Sequence, residues 1–167
     1  MNAPSDSIDI AIIGSGFAGL CMAIKLKEAG LTDFFIAEQA QTLGGTWRDN
    51  QYPGCACDVQ SHVYSFSFAP NPNWTRQFAA QPEIRAYLED CARRFELAPY
   101  LRFGMGLQRA LFDEQQQRWQ LTFSNGRQVS ARVLVSGMGG LSRPAMPDIP
   151  GLDSFKGKRF HSQQWDH

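Results

Sequence analysis

A glycine-rich turn set between an apolar run and a helix constrains this chain more than any other feature. Gly14-Ser15-Gly16-Phe17-Ala18-Gly19 matches the pattern G-x-G-x-x-G. Residues 8–13 before it, with Ile10 and Ile12 at alternate positions, read as a buried strand. Residues 17–29 after it have the length and composition of a helix, stopped by Gly30. In such a unit Gly14 permits the tight turn, Gly16 lets the backbone approach a pyrophosphate, and Gly19 lets helix and strand pack closely. The free N–H groups and the dipole of the helix start favour phosphate. Residues 34–37 read as a second strand, and Glu38 stands at its end, nineteen residues after Gly19. A carboxylate there suits the ribose hydroxyls of an adenosine and repels a 2′-phosphate, which favours FAD or NAD over NADP. The competing reading is a tight turn and a surface glutamate with no ligand. Either way the fold class is α/β, Rossmann-like.

The remainder divides by pattern. Residues 41–72 are irregular, aromatic and rich in glycine and proline, which marks a functional rather than a disordered stretch. A helix is expected over 82–95, with Pro82 and Glu83 in its first turn and Ile84, Tyr87, Leu88 and Cys91 along one apolar face. Three short strands over 107–112, 118–123 and 128–135 form a small antiparallel meander. Residues 136–140 are a glycine-rich break, and 141–151, with three prolines, read as an extended linker.

Composition excludes several classes. Sixteen basic and sixteen acidic residues leave no net charge in 167, unlike a nucleic-acid binder. Hydrophobic residues at 43% allow a real core. No apolar run reaches the ~18 residues of a membrane helix, and Met1 to Ser7 lacks the basic and apolar regions of a secretory signal. The four cysteines, at 21, 55, 57 and 91, are then expected as reduced thiols in the cytoplasm, where the Asn73-Trp74-Thr75 sequon is inert. Cys55-x-Cys57 with His62 falls short of a zinc site, which prefers C-x₂₋₄-C and four ligands, and of a C-x-x-C dithiol centre, so no metal is expected.

Past Glu38 the chain resembles the two-dinucleotide-binding flavoproteins, and within them the flavin-dependent Baeyer–Villiger and related monooxygenases. The resemblance runs through Leu43-Gly44-Gly45-Thr46-Trp47, then Tyr52-Pro53-Gly54-Cys55-Ala56-Cys57-Asp58 and residues 61–68. Ala56 stands where the family often has arginine. The decisive match is Phe155-x-Gly157-x-x-x-His161-x-x-x-Trp165-Asp166, the family fingerprint F-x-G-x-x-x-H-x-x-x-W-(P/D) at each fixed position.

The resemblance implies FAD as cofactor, NADPH as reductant, molecular oxygen, and a small-molecule ketone converted to an ester or lactone. Oxidation of a sulfur or nitrogen compound, or a non-catalytic FAD- or ADP-binding module, are the alternatives. The implied cofactor set is Gly14, Ser15, Gly16, Phe17, Ala18, Gly19, Glu38, Gln39, Gly45, Thr46, Trp47, Asp58, Tyr64 and Leu107. Asp58 is implied to lie by the flavin ring and to help position a catalytic arginine; its plain reading is a turn cap. His161 is implied to link domains and position NADPH; its plain reading is a capped surface histidine. No catalytic residue is assigned. Residues 1–140 are expected to be the FAD-binding part and 141–167 a linker carrying the fingerprint. No second G-x-G-x-x-G follows Gly19, so the NADPH domain is expected outside this chain, which by itself would not turn over.

Overall fold

Strand β1 (Asp6–Ile13) lies inside a six-stranded sheet of order β3-β2-β1-β6-β5-β4 in the computed structural model, which describes residues 6–167. The polar start read from residues 1–7 falls largely outside that range. Helix α1 (Phe17–Glu28) follows β1, and β2 (Phe34–Ala37) pairs parallel with it, Ile10 opposite Phe34 and Ile13 opposite Ala37. A short helix α2 (Thr46–Asp49) interrupts the irregular stretch before α3 (Gln81–Arg94). Strands β3 (Leu101–Arg102), β4 (Leu107–Asp113), β5 (Arg118–Phe123) and β6 (Gln128–Ser136) complete the sheet.

Both faces of β1 and β2 are covered, as parallel strands require. Ile10, Ile12, Phe34 and Ile36 face one core with Leu20, Ile24, Ile84 and Leu88 from α1 and α3. Ala11, Ile13, Phe35 and Ala37 face a second core with Met105, Leu121 and Phe123. Strands β1 and β2 thus carry the helices on one face and pack on the other against side chains of the meander strands of the same sheet.

Three differences from expectation have clear causes. The meander is not a separate unit, because β6 returns to pair parallel with β1 over Asp6 to Ile13 while pairing antiparallel with β5. Strand β3 is two residues long, too short for a pattern, and exists because β2 offers it an edge. Helices α1 and α3 each end one residue early, at Glu28 and Arg94, and α3 begins one residue early, at Gln81.

The aromatic stretch is ordered by α1 and α3. Phe17 packs edge-on against Tyr64 and Phe66 at 5.1 and 5.3 Å. Tyr87 of α3 accepts the Phe66 N–H at 2.7 Å and donates to the Ala69 carbonyl at 2.8 Å. Its hydroxyl therefore pins a segment with no regular structure of its own, and burial pushes its phenol far above the ordinary value. Residues 141–151 run exposed and without regular structure. No helix is long and apolar enough to cross a membrane among the described residues.

Candidate dinucleotide site

The glycines of the loop divide by what surrounds them. Gly14 has φ +98°, which glycine adopts freely, and a Cβ there would lie 2.6 Å from the Gly137 carbonyl oxygen. A Cβ on Gly19 would overlap the Gly14 carbonyl oxygen. Both glycines are demanded by the chain's own packing. Gly16 is different. Its φ is −82°, open to any residue, and a Cβ would meet only Gly45 Cα at 3.8 Å. Nothing in the chain demands glycine at 16, so the reason lies with a group that approaches the loop, as a pyrophosphate does.

Two segments close around the loop. Gly137 donates its N–H to Ile13 O at 2.8 Å and backs Gly14 and Gly19. Gly44 donates to Ser15 O at 3.0 Å, which brings Gly45 across from Gly16. Gly45 precedes Thr46 at the start of α2, and buried Trp47 donates its indole N–H to Tyr64 Oη at 3.0 Å. Burial raises the Tyr64 phenol, against the indole donor that lowers it. Gly14, Ser15, Gly16, Gly19, Gly45, Trp47 and Tyr64 are therefore brought together. The Phe17 ring belongs to the core beneath, and Ala18, the second residue of α1, is exposed.

Glu38 is buried at the end of β2. Its Oε2 accepts the Ser15 N–H at 3.1 Å and the Ser15 hydroxyl at 2.6 Å. Its Oε1 accepts the Ala40 N–H at 2.9 Å and lies 3.0 Å from Arg48 Nη1. Arg48 forks onto Asp49 through Nε and Nη2. Burial would lower the Arg48 guanidinium, but its bond to Asp49 and the charge of Glu38 raise it more, so it stays a cation. Gln39 is exposed beside this group. Leu107 packs into the second core, in a cluster containing none of residues 14–19.

Cys55 and Cys57 are buried with Trp47 and Phe66 in the first core. Asp58 stands exposed next to them and does not cap the 3-10 turn at Ser61–Val63, whose N-cap is Gln60. A cavity of about 270 Å³ lies between residues 51–56 and the start of α3, bordered by Tyr52, Cys55, Ala56, Arg76 and Gln81.

The fingerprint folds on itself and touches the body at Tyr52 and Asp49. The Phe155 ring lies over Gly157, where a Cβ would overlap it. His161 Nδ1 accepts the Gln163 N–H at 3.1 Å, capping a 3-10 turn, so its ring proton sits on Nε2. Lys158 pairs with Asp166. Trp165 packs against Tyr52 at 6.4 Å, and Gln163 Nε2 donates to Asp49 Oδ2 at 3.3 Å.

Sequence reasoning missed Arg48, Asp49 and Gly137. Arg48 and Asp49 lie in a stretch without periodicity, where burial leaves no trace in the pattern. Gly137 reads as part of a break, although a glycine run after a strand that returns to β1 is the signal that could have found it.

The fold and loop match known proteins closely. The family described as NAD(P)-binding Rossmann-like domain matches residues 12–81. A Baeyer–Villiger monooxygenase of Streptomyces coelicolor is 55% identical over 162 residues, covering 97% of this chain and 31% of that protein. One from Pseudomonas aeruginosa is 56% identical over 158 residues, covering 95% and 30%. Over nearly its whole length the chain is similar to Baeyer–Villiger monooxygenases. Among solved structures, a complex of OTEMO with FAD and NADP superposes with a TM-score of 0.87 at 35% identity, over 98% of this chain and 31% of that one. The chain has the Rossmann-like sheet of the two-dinucleotide-binding flavoproteins, and it spans about a third of the length of the relatives it matches.

Proposed function

We propose that this chain binds FAD and forms the FAD-binding part of an NADPH- and oxygen-dependent monooxygenase that converts a ketone to an ester or lactone. The observation that carries the reading is Gly16, the one loop glycine whose lack of a side chain serves nothing inside the chain. The loop N–H groups and the start of α1 would hold the pyrophosphate. Glu38 would take the ribose, and Gly45, Thr46 and Trp47 would border the flavin side. When bound, FAD supplies the redox chemistry that links NADPH and oxygen to the substrate. This chain's residues bind and orient it, and the buried group of Trp47, Cys55, Cys57 and Phe66 keeps water from one side of the site.

Residues 1–140 act as the FAD-binding part and 141–167 as the linker toward an NADPH-binding domain. Asp58, exposed beside the two buried cysteines, is available to a partner group from outside the chain. His161 shapes the linker turn and thereby the approach of NADPH. The protein works in the cytoplasm, consistent with four free cysteines. Fluorescence titration of the chain with FAD tests the reading: saturable binding of one FAD is expected, and absence of binding overturns it.

A further inference from the structure

The Glu38 carboxylate is fully subscribed by the protein itself. An ionised carboxylate offers about four acceptor positions. Three hydrogen-bond donors and one cation occupy them: the N–H and hydroxyl of Ser15 on Oε2, the Ala40 N–H on Oε1, and the Arg48 guanidinium as an ion pair whose Nη1 lies 3.0 Å from Oε1. A ribose diol brings two more donors, so two of the four must leave. The amides are fixed by backbone bonds, since Ser15 O holds the Gly44 N–H and Ala40 O holds the Gly104 N–H. The Ser15 hydroxyl can turn away about a single bond. Arg48 has other acceptors in reach. Its Nη1 already donates to Thr42 O at 2.8 Å, and its Nε and Nη2 bond Asp49 at 2.6 and 2.9 Å.

We propose that Arg48 is a latch on the ribose anchor: it holds Glu38 Oε1 while the site is empty and cedes that oxygen to a ribose hydroxyl when nucleotide binds, with Asp49 keeping the released guanidinium paired. The inference rests on the dinucleotide reading above. It gives Arg48 and Asp49 a positioning role, acting on nucleotide through Glu38. The latch spares the empty site an unpaired buried carboxylate, and it makes ribose binding an exchange of hydrogen bonds rather than a pure gain.

The test is titration of the 167-residue chain with ADP and with 2′,3′-dideoxy-ADP, which differ only in the diol. The wild-type chain is expected to prefer ADP. Arg48→Met frees Oε1, and the preference for ADP should grow by about fivefold, whatever happens to thermal stability. Asp49→Asn weakens the place where the guanidinium is held, and the preference should shrink while dideoxy-ADP binding persists. A purely structural role would weaken both nucleotides together and leave the ratio unchanged, which overturns the proposal. A smaller preference in Arg48→Met also overturns it, since Arg48 would then be holding Glu38 in place for the ribose. If Arg48→Met does not fold, the Asp49→Asn ratio decides, and an unchanged ratio there overturns the latch. If the wild-type chain binds neither nucleotide, the dinucleotide reading fails and the latch with it; if it binds both but the ratios do not move, only the latch fails.

Discussion

In the phosphate loop, two of three motif glycines are pressed against backbone, Gly14 against distant Gly137 and Gly19 against Gly14 itself; in the fingerprint, the one motif glycine is pressed against the ring of its neighbour Phe155. Ser15 is fully buried, whereas Phe155 remains 58% exposed. The loop is answered by β2, α2 and the segment after β6, all within these residues. The fingerprint is answered mainly by itself, through the His161 cap and the Lys158–Asp166 pair, with contacts to the body at Asp49 and Tyr52. A fixed spacing can therefore record a packing need or a need outside the local fold, and the neighbours of each residue tell which.

Alanine at the two glycines separates these cases most strongly. Gly19→Ala drives a methyl into a carbonyl oxygen that backbone geometry holds in place. A loss of about 3 kcal/mol or more is expected in thermal or denaturant unfolding. Gly157→Ala meets a ring that can swing into solvent, and about 0.5 kcal/mol is expected. Similar losses at the two positions would erase the contrast.

Glu38→Ala comes next. It removes a buried acceptor from the Ser15 and Ala40 amides and leaves Arg48 with Asp49 and the Thr42 carbonyl. A loss of about 2 kcal/mol in unfolding is expected, together with weaker FAD binding. An unchanged melting temperature would show that the carboxylate is not tied into the fold as the distances indicate.

Alkaline pH probes the packing beneath the loop. Tyr87 has its phenol raised in the folded chain by burial, so the unfolded chain loses this proton first. Its contribution is full below about pH 10 and is lost as pH rises beyond that. Unfolding followed between pH 8 and 11 should show declining stability, with a flatter decline in Tyr87→Phe. Equal slopes would remove Tyr87 as a cause.

What could be read in advance followed from local pattern. β5 spans 118–123 as expected, β2 spans 34–37, and Ile84, Tyr87, Leu88 and Cys91 are all buried on one face of α3. Each depends on periodicity or apolar runs within a dozen residues. The return of β6 to β1 joins residues more than a hundred apart, and no local signal reports it. The same holds in the site. Gly14, Gly16, Gly19 and Glu38 were legible because their spacing is fixed by one strand–turn–helix unit. The Arg48–Glu38 pair was not, since it forms only when an irregular loop folds back over β2.

The smallest effect is expected at His161. His161→Ala removes a capping acceptor from a short exposed turn, which costs about 0.5 kcal/mol or less in this chain and leaves FAD binding intact. In the full-length enzyme the same change should slow flavin reduction by NADPH, followed by stopped-flow absorbance. Loss of FAD binding instead would move the fingerprint into the flavin site and shift the boundary proposed near residue 140.

The central claim, that the loop is open at Gly16 because a dinucleotide passes there, is tested most directly by titrating FAD into the wild-type chain and into Gly16→Val while recording both melting temperatures. A Cβ at position 16 meets only Gly45 Cα at 3.8 Å within the chain, whereas a branched side chain stands in the path of a pyrophosphate. A small loss in melting temperature, from valine at the N-cap of α1, is expected with FAD affinity at least about tenfold weaker, equivalent to about 1.4 kcal/mol. Equal affinity in the two proteins would contradict the account.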